Sequence, residues 1–261
     1  MDAINALLNN GANVNHQDRN GQSALHFASS DICDWLIQHL ADVNMCDNGN
    51  WTPLMLASRE SDVKKVATLI ENGAKVDLQD INGNTALHHA VLISYDSHEY
   101  TPDICLALLT AKASHLCNSE GWTPLLLASE KCITSVVEIL IKHPEVTKEQ
   151  RANALELLGS SLCLKSKTFA IEEGFSYIKL GMKERFADAS HPLLKQQVEL
   201  AEAYQNRKES QTLEELAEIE SDEDSIIMES LVIRERIIGA NNKELLKPIE
   251  RVAEHLSLIH I

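Results

Sequence analysis

The chain has 261 residues, 44% of them hydrophobic and 24% charged, which suits one elongated or two compact domains with a substantial buried core. Its formal charge of −16, carried as −10 through Gln150 and −6 beyond, disfavours nucleic acid and anionic membrane surfaces, whose phosphates it would repel, and favours basic peptide partners. No apolar run approaches the ~20 residues that span a bilayer, no signal-peptide core follows Met1, and the six cysteines include no Cys-x-x-Cys pair. Reduced thiols are therefore expected, in the cytoplasm first and the nucleus second.

In chain order, Ile4, Leu7 and Leu8 followed by Gly11-Ala12-Asn13-Val14-Asn15 read as the second helix of a pair and its turn, so the chain is expected to open within a repeat. Four related segments follow: Gly21-Gln22-Ser23-Ala24-Leu25-His26-Phe27-Ala28, Trp51-Thr52-Pro53-Leu54-Met55-Leu56-Ala57, Gly83-Asn84-Thr85-Ala86-Leu87-His88-His89-Ala90 and Gly121-Trp122-Thr123-Pro124-Leu125-Leu126-Leu127-Ala128. Ser23, Thr52, Thr85 and Thr123 are predicted to cap helices, and they stand 29, 33 and 38 residues apart. Pro at the next position suits a first helical turn, because its missing N–H would have no partner there. Asp18, Asp47, Asp80 and Asn118 each precede the cap by five residues, where a short acceptor can close a tight turn. After each capped helix a second apolar stripe recurs, as in Val63, Val66, Leu69 and Ile70, or Val136, Val137, Leu140 and Ile141.

Turn, helix, helix at a period near 33 is the ankyrin plan. The short interval reflects little room after Ser29-Ser30-Asp31, and the long one an added loop over residues 94–102. Leu40 and Lys112 replace the glycine expected where a second helix closes, so both are expected in a left-handed conformation.

Beyond His143-Pro144 the cap pattern stops, and helical stripes recur over 149–164, 168–187, 193–206 and 225–238. The fold class predicted is all-α: an ankyrin-repeat solenoid over 1–146, then tetratricopeptide-like antiparallel helix pairs over 147–255. Residues 256–261 read as a non-native tail, similar to a translated sequencing adapter.

Two segments of this second half carry a more specific likeness. Asn153-Ala154-Leu155-Glu156-Leu157-Leu158-Gly159-Ser160-Ser161, directly after the last repeat, resembles the corresponding junction of the feminization (Fem) family, and so does Ile227-Met228-Glu229-Ser230-Leu231-Val232-Ile233-Arg234-Glu235-Arg236-Ile237-Ile238-Gly239-Ala240. The resemblance covers roughly residues 16–250. It implies a substrate receptor of a cullin–RING ubiquitin ligase, whose ankyrin repeats capture C-terminal tails of target proteins, commonly ending in Arg. The box that recruits elongins B and C and a cullin would lie beyond Ile261. The family's acidic residue at the end of a first ankyrin helix, which pairs with the tail Arg, falls on Asp31.

Trp51 and Trp122, in the turn before the cap, are further candidates for tail contacts, since indole is a favoured anchor at interfaces; packing against neighbouring turns is the competing reading. Asp47 and Asp80 are carried as acidic candidates beside them. His26 and His88 are expected to tie adjacent repeats by hydrogen bonds. Arg234-Glu235-Arg236 could grip a carboxylate, but the reading preferred from pattern is the wet side of a helix whose Leu231, Ile233 and Ile237 pack inward. His88, His89, Cys105 and Cys117 lack zinc spacing, and no phosphate loop, paired carboxylate or nucleophile elbow is present. No cofactor and no catalytic role are expected. The alternative function is a generic ankyrin scaffold with no ubiquitin link.

Overall fold

The structure is a computed structural model and describes residues 6, 10–92, 100–165, 170–188, 192–195 and 208–239. The expectations for the helix around Ile4 to Leu8, for loop residues 94–99, for most of the 193–206 stripe and for the 256–261 tail lie outside the described residues. Among the described residues there are twelve helices and no strand: α1 (Ala24–Phe27), α2 (Ser30–Gln38), α3 (Pro53–Arg59), α4 (Val63–Glu71), α5 (Ala86–Val91), α6 (Thr101–Thr110), α7 (Pro124–Glu130), α8 (Thr134–Leu140), α9 (Lys148–Lys165), α10 (Ala170–Phe186), α11 (Leu213–Ile219) and α12 (Glu223–Ile238). The chain is all-α, as the pattern predicted. It divides into two compact units, Met1–Leu127 and Ala128–Ile261, the division falling within α7.

In the first unit, the short acceptor before each cap closes its turn. Asp47 Oδ1 accepts the N–H groups of Gly49 and Trp51, both at 2.8 Å, and Asp80 Oδ1 those of Asn82 and Asn84, both at 2.8 Å. Successive turns are then joined by backbone bonds, from Asn48 N to Asn20 O (2.9 Å), Ile81 N to Gly49 O (3.1 Å) and Ser119 N to Asn82 O (2.9 Å). Gly21 and Gly83 sit at these joints with φ of +78° and +76°, and a Cβ on either would come within 2.8 Å of the next turn's backbone nitrogen.

Thr52 and Thr123 cap as predicted, accepting the N–H of Met55 and Leu126 at 3.2 Å. Where the third helical residue is His, its ring takes part. His26 Nδ1 accepts the Ser23 N–H (3.1 Å), so the proton is on Nε2, which donates to the Trp51 carbonyl of the next repeat (3.1 Å). His88 repeats the arrangement with Thr85 N–H (3.1 Å) and the Trp122 carbonyl (3.0 Å). Both rings tie repeat to repeat, as expected.

The repeat ends also follow the sequence reading: Leu40 has φ +67° and Lys112 +64°. The first full repeat departs from the others. Its α1 is four residues long, and the chain turns into α2 through Ala28 and Ser29 alone, with no left-handed residue; the second repeat uses Ser61 at φ +60°. The early turn deprives the His26 carbonyl of its helical donor. Lys65 of the next repeat, buried at 1% exposure, reaches across and donates to that oxygen at 3.0 Å.

In the second unit α9 and α10 run antiparallel, because their contacts ascend on one helix and descend on the other: Gly174 and Ile171 meet Cys163, Gly174 also meets Gly159, and Gly181 meets Ala152 and Glu156. Glycine allows this approach. A Cβ on Gly159 would lie 2.3 Å from the Gly174 carbonyl oxygen. Phe175, Ile178 and Met182 of α10 pack with Leu216 of α11 and with Ile226 and Ile233 of α12.

Burial of the two histidines of α5 gives a pH dependence. Burial pushes His88 below the ordinary range, with the bond to the Trp122 carbonyl opposing it; burial likewise lowers His89, against the attraction of Asp80 and with help from Arg59. As pH falls through about 6.5, the unfolded chain takes up protons before the folded one, so stability present above that pH is lost below it. All three tryptophans lie in the first unit, so their fluorescence follows that unit alone. Its melting temperature is expected to drop steadily from pH 7 to pH 5, and a flat profile over that interval contradicts the assignment.

Candidate functional site

The turn and first-helix residues around Trp51 form a polar and aromatic cluster in the first unit. The indole lies over Gly49, where an added Cβ would sit 3.1 Å from Trp51 Cδ1. Its ring packs at a tilt against His89 of the following repeat, with centroids 3.9 Å apart and planes inclined by 37°. His89 Nε2 donates to Asp80 Oδ2 at 2.9 Å, which fixes the ring against the turn. Arg59, the last residue of α3, places its guanidinium carbon 5.2 Å from the Trp51 ring centroid, a cation–π distance. Trp51 is half-buried and Arg59 exposed, so the cluster has a fixed floor and an open cation.

The five candidates drawn from the sequence fare differently. Trp51 is at the centre of the cluster. Asp80 is buried, and both its oxygens are bonded within the fold, to turn N–H groups and to His89. Asp47 is half-buried and closes its turn with Oδ1, while Oδ2 lies 3.5 Å from Gln22 Nε2. Trp122 is 6% exposed, so it packs rather than projects. Asp31 is exposed, but in the first turn of α2 rather than at the end of a first helix. That placement corrects the position implied by the resemblance, and its cause is the early turn after Phe27. Arg59 was not singled out from the sequence, and His89 was weighed there only as a zinc ligand and set aside. The available signal was that Arg59 is the only Lys or Arg on the four first helices α1, α3, α5 and α7.

The second unit corrects the reading of Arg234-Glu235-Arg236. Helix α12 is buried on several faces, with Met228 through Arg234 all enclosed, so Arg234 and Arg236 do not form a wet side. Arg236 donates to Asn153 Oδ1 (2.9 Å), to Glu156 Oε2 and to both oxygens of Glu209. Glu156, fully buried, also receives Arg185 Nε at 2.8 Å and Nη2 at 2.9 Å, with Lys195 Nζ 3.7 Å away. Lys195 pairs in turn with Glu209 at 2.9 Å. On the adjacent stretch of α12, Arg234 pairs with Glu130 at 2.6 Å and donates to Ser161 Oγ at 2.7 Å. The two segments that carry the Fem resemblance therefore meet in space and share one buried ion network. Burial pushes the Glu156 carboxyl up, but the Arg185 hydrogen bond and the charges of Lys195, Arg236 and Arg185 outweigh it and hold it below the ordinary range.

Among the described residues no group of three or more His, Cys, Asp or Glu side chains is placed to hold a metal, and no helix is long and apolar enough to cross a membrane.

Stacked turns, capped first helices and imidazole ties between repeats define an ankyrin-repeat protein. The family model for "Ankyrin repeats (3 copies)" matches residues 1–80, 30–100 and 75–152. "Protein fem-1 homolog C" of Xenopus laevis is 36% identical over 125 residues, 48% of this chain and 20% of the relative. The Homo sapiens protein of the same name is 35% identical over 143 residues, 54% of this chain and 23% of the relative. "Protein fem-1 homolog CG6966" of Drosophila melanogaster is 36% identical over 124 residues, 48% and 18% respectively. The chain belongs to the ankyrin-repeat family, and over about half its length it is similar to Fem proteins. It spans about a fifth of the length of the relatives it matches. Its role is protein interaction.

Proposed function

We propose that this chain is the substrate-recognition part of a cullin–RING ubiquitin ligase receptor, non-catalytic in itself, whose ankyrin unit binds C-terminal tails of target proteins, Arg-ended tails above others. Support comes chiefly from the joining of the 153–161 and 227–240 segments, the two that resemble the Fem junction, through Arg236, Asn153 and Glu156. A net charge of −10 through Gln150 suits a basic tail. Elongins B and C and the cullin would be bound outside these 261 residues, and the setting would be cytoplasmic.

Fluorescence anisotropy with ten-residue peptides tests the tail-binding half. Tails ending in Arg are expected to bind at least about tenfold more tightly than the same tails amidated or ending in Asp, the loss of one charge-assisted contact. Equal binding of all three sinks the reading. The ligase half is tested on the uninterrupted coding sequence, whose product is expected to co-purify with elongins B and C and a cullin. If it does not, a tail-binding ankyrin scaffold without a ubiquitin link is what remains.

A further inference from the structure

A C-terminal tail ends in a carboxylate, and an acidic ankyrin unit repels it unless a cation is placed to receive it. Arg59 is the only Lys or Arg on the first helices, it is exposed, and among the described residues it forms no ion pair or hydrogen bond. Its guanidinium is not adrift: it lies over the Trp51 ring, which packs at a tilt against His89, which is bonded to Asp80. The Trp51 indole N–H likewise has no hydrogen-bond partner among the described residues. A guanidinium held on an aromatic face, with an unpaired N–H on the same ring, suits a carboxylate, because the planar fork can take both oxygens and little side-chain freedom is lost on binding.

Resting on the tail-binding reading above, we infer that Arg59 and the Trp51 indole N–H form a carboxylate subsite that receives the terminal carboxylate of the bound peptide. An acidic side chain within the peptide would offer the same chemistry. The surrounding negative charge selects against peptides rich in such side chains, whereas every basic tail still carries its terminal carboxylate.

The test uses the 261-residue chain and a fluorescein-labelled pool of ten-residue peptides, random except for a final Arg, in free-acid and amidated forms. The quantity read is the ratio of the two affinities. Wild type is expected to prefer the free acid by about tenfold or more, Arg59→Gln to bring the ratio to within about twofold, and Trp51→Phe, which keeps the ring and removes the N–H, to lower it part of the way. Arg19→Gln removes the same charge from an exposed position in the first unit and is expected to leave the ratio unchanged. A wild-type ratio retained in Arg59→Gln overturns the subsite and leaves the tail reading standing. An equal fall in Arg19→Gln reduces the effect to long-range charge and also overturns the subsite. A wild-type chain indifferent to amidation overturns the subsite and the tail reading together.

Discussion

Glu156→Ala is expected to destabilise the second unit by about 3–5 kcal/mol, because it leaves Arg185 and Arg236 buried without their shared carboxylate. The magnitude reflects burial: Glu156 has no exposed surface, and desolvated cations cannot recover in water what they lose in the fold. The pair of Arg151 with Glu184 offers the comparison, at 3.7 Å with side chains 35% and 37% exposed, where Glu184→Gln should cost less than about 1 kcal/mol. Far-UV circular dichroism follows both units and tryptophan fluorescence only the first, so the loss should appear as an early dichroism transition with the fluorescence melt unmoved. A Glu156→Ala melt no lower than that of Glu184→Gln would show that the buried network carries little. The effect should also depend on pH with a definite sign. The folded carboxyl titrates below the unfolded value near 4.3, so its contribution is complete above that pH and lost as pH falls through the folded pKa. The gap between wild type and Glu156→Gln should therefore close under acid.

Gly159→Ala should be nearly as damaging, at about 3 kcal/mol, for a steric reason. Its Cβ would lie 2.3 Å from the Gly174 carbonyl oxygen and 2.8 Å from the Ile178 nitrogen, both backbone atoms that no rotamer change can move aside. The helices α9 and α10 must separate, and the loss spreads to Phe175, Ile178 and Met182 packed beside them. Gly73→Ala makes the contrast. That residue has φ +85° and nothing within 4 Å of its would-be Cβ, so only the left-handed backbone is penalised, by about 1 kcal/mol. Chemical denaturation read by circular dichroism distinguishes them; equal losses for the two substitutions would contradict the close approach of α9 to α10.

Much of the first unit was legible because its rules are local. A cap and the N–H it serves are three residues apart, as in Thr52 and Met55, and a turn-closing Asp reaches four residues on, as in Asp47 and Trp51. Such contacts follow from backbone geometry whatever lies nearby. The candidate site was less legible for the same reason. Trp51 and Trp122 occupy the same place in their repeats, yet Trp51 is half-exposed over His89 and Arg59 while Trp122 is buried. Asp80 looked available until His89, nine residues on, took its second oxygen.

The sequence by itself determined that this chain is built of capped helix pairs on the ankyrin plan, where each turn closes, and that Leu40 and Lys112 are left-handed. Tertiary structure alone decided which charges are buried. Arg236 reads as a surface residue of α12 until Asn153 and Glu156, 83 and 80 positions earlier, surround it, and Lys65 reads as solvated until the shortened α1 presents a carbonyl 39 positions away. A charge enters a protein interior only where opposite charge and hydrogen-bond partners repay its lost hydration, and those partners are supplied by distant segments that no local pattern records.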